Sequence, residues 1–233
     1  MNELESLSQL NKMLLAESPQ YLAQAAAFPP DAEAQWRLFR SLVNVRAPRP
    51  AGGDFLALQD SLLQKITACK GVTAFHSLTP MQKGLYLWRG DITTLQTDGI
   101  VNAANSGLTG CYHPCHQCID NAIHTFSGVQ LRLACASIIK AQGRPEPAGQ
   151  AKITRAYNLP CRYVLHTVGP AVAGSPLTEG PRFTGVLLPF LSCGGCGMEN
   201  EIRGFLLYFY RRVSFSQRAG GANRRGNRET VYE

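Results

Sequence analysis

The chain has 233 residues with 45% hydrophobic content, enough for one domain with an extension, and no apolar run reaches the ~18 residues of a membrane span. Its net charge of +7 invites a nucleic-acid reading, but eight Arg, no Lys and four Glu lie in residues 180–233, so +4 of the excess sits in the last quarter. Without basic residues laced with aromatics along the body of the chain, neither a nucleic-acid partner nor a membrane is expected.

The opening Met1-Asn2-Glu3-Leu4 lacks the basic and apolar regions of a signal peptide, so a cytoplasmic location is expected. The eight cysteines then read as metal ligands or buried thiols rather than disulfides.

Residues 1–74 read as a helical N-terminal extension. Leu4, Leu7, Leu10 and Leu14 follow a helical period. Ser18-Pro19 restarts a helix with Tyr21, Leu22 and Ala25 on one face. Asp31 is placed to cap a helix carrying Trp36, Phe39, Leu42 and Val43, and Asp54 to cap one carrying Phe55, Leu58, Leu62, Leu63 and Ile66. No catalytic constellation falls in this segment.

After Thr79-Pro80 the pattern changes. Residues 85–88 and 100–104 predict strands, 121–142 one long helix, and 151–156 and 163–168 two further strands. Alternating strands and helices argue an α/β fold.

The chemistry is concentrated between Asp91 and Asp120. Gly90-Asp91-Ile92-Thr93 follows a strand, where a carboxylate either accepts from an amino group or closes an Asx turn. Asn102-Ala103-Ala104-Asn105 sets two amides, each both donor and acceptor, around small residues that let a ligand approach the backbone. Gly107 and Gly110 follow, and a glycine-spaced loop leading to a helix can present N–H groups to phosphate or be an ordinary turn.

Cys111, His116 and Cys118 have the thiolate and imidazole donors that zinc prefers. Three ligands and an open position describe a catalytic zinc; His113 and Cys115 supply enough donors for a closed four-ligand structural site as the alternative. Asp120 stands where it can cap the helix that follows.

Together these residues resemble the macrodomain family, and within it the zinc-dependent macrodomains. The carriers are Gly90-Asp91-Ile92-Thr93, Ile100-Val101-Asn102-Ala103-Ala104-Asn105-Ser106 and, most specifically, the stretch from Gly110 through Cys111, His116, Cys118, Asp120 and Asn121 to His124. Gly149-Gln150-Ala151-Lys152-Ile153-Thr154 and the stretch from Tyr163 to Pro170 also look alike, so the resemblance covers about residues 1–179.

The resemblance implies a three-layer α/β/α macrodomain with a mixed sheet, residues 75–179, behind the helical extension. It implies hydrolysis of the bond between ADP-ribose and a modified protein side chain, with Zn2+ as cofactor. It puts Asp91 and Ile92 at the adenine, Asn102 and Asn105 near the distal ribose, Gly110 beside the diphosphate, and Cys111, His116 and Cys118 on the zinc, and it makes Asp120 a candidate catalytic acid/base or a support to the ligands, as an alternative to its cap role. It further implies a sirtuin-type ADP-ribosyltransferase as functional partner and a modified lipoyl carrier protein as substrate. A non-catalytic ADP-ribose-binding module would share the asparagines and the glycine loop but would not need the metal ligands.

The resemblance stops at Glu179. A macrodomain needs a last strand and a second phosphate loop of the form Ser-Thr-Gly-x-Phe/Tyr-x-Phe/Tyr-Pro, and residues 180–233 contain none. Back-translating from Gly180 and reading from the second base permits such a loop, so the tail reads as out-of-frame translation and is expected to be irregular. Losing the loop would remove half the phosphate cradle and impair the activity.

Overall fold

The computed structural model describes residues 2–82, 85–169 and 205–206. The first helix, α1 (Glu3–Glu17), opens with a capping box: Asn2 Oδ1 accepts from the Glu5 amide at 2.8 Å, and Glu5 Oε2 accepts from the Asn2 amide at 2.9 Å. Its Leu7, Leu10 and Leu14 are buried, as their spacing predicts. A 3-10 turn (Pro19–Tyr21) leads into the one-turn α2 (Leu22–Ala25). Ala25 is buried there, but Leu22 is 54% exposed, against expectation. One α-turn entered from a tighter helix does not hold a 3.6-residue register.

Asp31 caps α3 (Ala32–Val45) by accepting from the Ala34 amide at 2.9 Å. Asp54 does not cap the next helix, α4 (Gly53–Lys70). Gly52 takes that position without a side-chain bond, and Asp54 lies inside the first turn, where its charge faces the helix dipole.

Two small ladders follow. β1 (Thr73–Ala74) runs parallel to β4 (Leu95–Gln96), and β2 (Pro80–Gln82) pairs antiparallel with β3 (Leu85–Tyr86). The strand expected over 85–88 therefore ends at Tyr86, and Leu87 is 77% exposed. The main sheet contains β5 (Gly99–Ala104), β6 (Ala151–Arg155), β7 (Tyr163–Val168) and β8 (Phe205–Leu206) in the order β6-β7-β5-β8. β7 and β8 run parallel to β5 and β6 runs antiparallel to β7, so the sheet is mixed.

The single helix expected over 121–142 is two: α5 (Ile119–Ser127) and α6 (Val129–Gln142), bent by 111° at Gly128. Gly128 has φ +94°, and a Cβ there would stand 2.6 Å from the Gln59 amide nitrogen. Gln59 Oε1 accepts from the first amide of α6, Val129 N, at 3.0 Å. A residue of α4 thus caps a helix seventy positions downstream, a long-range bond that periodicity along 121–142 does not register.

The extension and the sheet share one core. Leu10, Phe39 and Leu63 belong to the same buried cluster as Ile100, Ile123 and Val164. Among the described residues no single helix is long and apolar enough to cross a membrane. The irregular tail expected over 180–233 lies outside the described residues except at Phe205–Leu206, which forms a two-residue strand beside Gly99 and Ile100 rather than irregular chain.

Candidate metal and ligand site

β5 delivers Asn102 and, one residue past its end, Asn105; the loop after it carries Gly110 and the three metal-type side chains; α5 opens beneath that loop. The ligand atoms of Cys111, His116 and Cys118 all lie within 4.8 Å of one another, with Cys111 Sγ 3.5 Å from His116 Nδ1. Donors of a tetrahedral zinc stand roughly 3.5–3.8 Å apart. Two thiols and an imidazole so gathered suit zinc in both chemistry and spacing.

The four-ligand alternative fails on geometry. Cys115 is turned away from the cluster, its Sγ 3.4 Å from both the Arg37 carbonyl and Ser41 Oγ on α3. His113 presents its ring edge to His116 at 5.6 Å between centroids and is not among the converging ligands.

Cys118, not Asp120, is the cap of α5, its Sγ accepting from the Asn121 amide at 3.4 Å. The cap reading of Asp120 is therefore overturned. Asp120 sits in the first turn, 5% exposed, and its Oδ1 accepts from Asn102 Nδ2 at 2.8 Å while Oδ2 lies 3.5 Å from Asn105 Nδ2. Burial pushes its carboxyl up to about 6, against the Asn102 bond and the Arg132 charge, which favour the ionised form. Burial also pushes the Cys118 thiol up to about 11, with Cys111 adding to it. A cation on the three ligands would draw both down.

Asn102 is fully buried, and its Oδ1 has no partner among the described residues. Its Nδ2 bridges Asp120 and His166 Nδ1, the latter at 3.1 Å. Because an amide nitrogen only donates, His166 Nδ1 accepts, which leaves the ring proton on Nε2 to donate to Thr154 Oγ1 at 3.0 Å. Burial holds this imidazole down to about 4, so it stays neutral.

Asn105 is exposed. It closes its own turn, Oδ1 accepting from the Gly107 amide and Nδ2 donating to the Gly110 carbonyl, both at 2.9 Å. Gly110 has φ +84°, and a Cβ there would meet the His124 ring at 2.8 Å, so only glycine fits.

Asp91 does close the expected Asx-type turn. Its Oδ1 accepts from the Thr93 amide and hydroxyl at 3.0 and 2.7 Å, and Oδ2 pairs with Lys70 at 3.1 Å. Burial opposes its charge, but Thr93 and Lys70 outweigh that and hold its carboxyl below the usual range. Ile92 is buried beside it.

A second group, His124, Cys135 and His166, also brings its ligand atoms within 4.8 Å, wholly buried. Both nitrogens of His166 are occupied by hydrogen bonds, and burial raises Cys135 to about 12. These are neutral core groups. Reading the sequence for chemistry gave no role to His166 or Asn121, although both lie in stretches that carry the resemblance, and missed Arg40, Asn44 and Lys70, which carry no local signal.

The Macro domain family profile matches residues 101–183. Solved structures that resemble the chain include the Trypanosoma brucei macrodomain in complex with ADP-ribose, 30% identical over 56% of this chain and 59% of that one, TM-score 0.37. Another is the Oceanobacillus iheyensis macrodomain with MES bound, 41% identical over 35% of this chain and 41% of that one, TM-score 0.31. Scores this low carry no argument about the fold.

A "Protein-ADP-ribose hydrolase" of Staphylococcus aureus (strain MSSA476) is 49% identical over 152 residues, 65% of this chain and 57% of that protein, so the chain spans little more than half of that relative. One of the same name from Treponema medium is 48% identical over 207 residues, 87% of this chain and 78% of the relative. That share exceeds what residues 1–179 provide, so the aligned stretch runs past Glu179. Identity at this level across more than three quarters of a relative shows that the chain belongs to the macrodomain family, alongside members named protein-ADP-ribose hydrolase.

Proposed function

We propose that the chain carries the site of a zinc-dependent hydrolase that removes ADP-ribose from modified protein side chains. The observation that carries this reading is the convergence of Cys111, His116 and Cys118 on one point, beside the buried carboxyl of Asp120. Relatives named as hydrolases support the class of reaction.

Cys111, His116 and Cys118 would hold the metal. Zinc held there would supply Lewis acidity. The remaining work falls to the chain. Asn102 fixes Asp120 through Oδ1, and Oδ2, with its longer 3.5 Å contact to Asn105, is the oxygen proposed to take or give a proton as the bond to the side chain breaks. Asn105 fixes the turn through Gly110, the proposed ribose and diphosphate contact, and Asp91 and Ile92 are the proposed adenine contacts. A lipoyl carrier protein modified by a sirtuin-type ADP-ribosyltransferase is the proposed substrate.

The proposed impairment rests on the absent second phosphate loop. Sequencing the encoding DNA decides it: an intact frame whose relatives share the Arg-rich tail removes that part of the reading.

The central test measures zinc content and ADP-ribose release from a modified carrier. One zinc per chain is expected, and Cys118→Ala is expected to lose both metal and release while keeping the fold. Release untouched by Cys118→Ala overturns the catalytic role. Binding of ADP-ribose without release, equal in both proteins, identifies a binding module instead.

A further inference from the structure

The metal loop is not held by the macrodomain alone. The helical extension grips it through α3. Arg40 Nη2 donates to Asn121 Oδ1 at 2.9 Å and to the His116 carbonyl at 3.3 Å. One turn on, Asn44 Oδ1 accepts from the Cys115 amide at 3.0 Å, and Asn44 Nδ2 donates to Thr125 Oγ1 at 3.0 Å. Asn121 passes the grip along: its Nδ2 donates to the His113 carbonyl at 3.0 Å, and its amide donates to Cys118 Sγ.

The loop needs such a grip. Cys115 has φ +53°, a left-handed conformation that costs a side-chain-bearing residue about 1 kcal/mol or more. The bond from its amide to Asn44 and the contacts of its thiol with Arg37 and Ser41 hold that conformation in place. The Cys115 thiol is thereby kept out of the cluster. His116 and Cys118, on either side of Gln117, are placed by a carbonyl and an amide bonded in this network.

The brace is itself anchored. Arg132 of α6 donates from Nη1 to the carbonyls of Val43, Asn44 and Arg46 at 3.1, 2.7 and 2.7 Å, closing the C-terminus of α3. The same guanidinium stacks on the ring of Tyr112, inside the metal loop, 4.3 Å from its centroid. Asn44 is 1% exposed and Arg132 5%, so these bonds are shielded from water.

We infer that Arg40 and Asn44 are positioning residues for the metal ligands, so that the N-terminal extension is a working part of the site rather than a packing appendage. The inference rests on the reading of Cys111, His116 and Cys118 as the metal-binding set. Removing partners that orient ligands typically costs 10- to 100-fold in metal affinity.

The test compares Arg40→Met, Arg40→Lys and the control Leu42→Val, on the apolar face of the same helix, in the full chain. Zinc affinity is measured by competition with a chromogenic chelator, and melting of the metal-free chain is followed alongside. Arg40→Met is expected to weaken zinc at least tenfold and Arg40→Lys to restore part of it, with metal-free melting shifted no more than by Leu42→Val. Affinity within twofold of the parent, or an equal loss in Leu42→Val, overturns the inference.

A parent chain that takes up no zinc overturns the metal site itself. The brace is then read from the alkylation rates of Cys111 and Cys118, resolved by mass spectrometry. Faster labelling in Arg40→Met but not in Leu42→Val upholds the brace, and unchanged labelling overturns it.

Discussion

The described residues hold two clusters of cysteine and histidine, one with two Cys and a His, the other with one Cys and two His. Cys111, His116 and Cys118 sit on a loop, part-exposed; His124, Cys135 and His166 are sealed in the core. The ligand atoms of either set fall within 4.8 Å, so proximity does not separate them. Their burial does. In the core set both His166 nitrogens are spent on Asn102 and Thr154, and burial favours the neutral forms of all three residues. In the loop set His116 Nδ1 meets the Cys111 sulfur, and Cys118 meets the Asn121 amide and the Cys111 side chain. Neither His124 nitrogen has a hydrogen-bond partner among the described residues, so burial is what separates the sets: the part-exposed loop donors are within reach of a cation and the core donors are sealed from solvent. Asp120 lies between the two sets, 3.5 Å from His124 Nε2 and two residues from Cys118, and takes its raised carboxyl from the buried side.

The sharpest way to break this contrast is Asp120→Asn. It keeps the shape and the first helical turn but removes the proton-transfer group. ADP-ribose release is expected to fall by about 10²- to 10⁴-fold with zinc content unchanged. Release retained within threefold would show that Asp120 only fills space.

The acid limb of stability tests the buried set. His166 titrates near 4 in the fold and near 6.5 unfolded, and burial lowers His124 as well. As pH falls below 6.5 the unfolded chain takes protons first, so stability present above 6.5 is lost down to about 4, on the order of 3 kcal/mol for His166. Asp120 acts oppositely. Its folded value of about 6 lies above 3.8, so the native state gains a proton first as pH falls and offsets part of the loss. Denaturant unfolding of the metal-free chain between pH 7 and 4 should show net destabilisation; stability rising throughout would mean the histidines are not held neutral.

The smallest effect is expected from Cys135→Ala. It should cost about 1–2 kcal/mol through lost packing and leave zinc content unchanged. A loss of zinc in this variant would make the core cluster part of the metal site.

Local elements were largely legible in the sequence because they rest on local chemistry. The Asp31 cap, the buried leucines of α1 and the strand through Asn102 follow from residues within a few positions of each other. The failures share a cause. Asp54 and the unbroken 121–142 helix were read from neighbours in the chain, whereas Gly52 and the Gln59 bond to Val129 settled the outcome. Cys118 displaced Asp120 as a cap because the carboxylate was already committed to Asn102 on a distant strand.

The sequence alone determined the donor set, the small-residue turn and the glycine that must follow it, because metal preference, side-chain volume and φ are properties of single residues and short spacings. Only the tertiary structure decided which cysteines face a common point, which histidines are buried, and that α3 bonds the loop carrying Cys111, His116 and Cys118. Those are questions of direction and partner, and they are answered by bonds such as Arg40 to Asn121 and Asn44 to Cys115, between residues more than seventy positions apart.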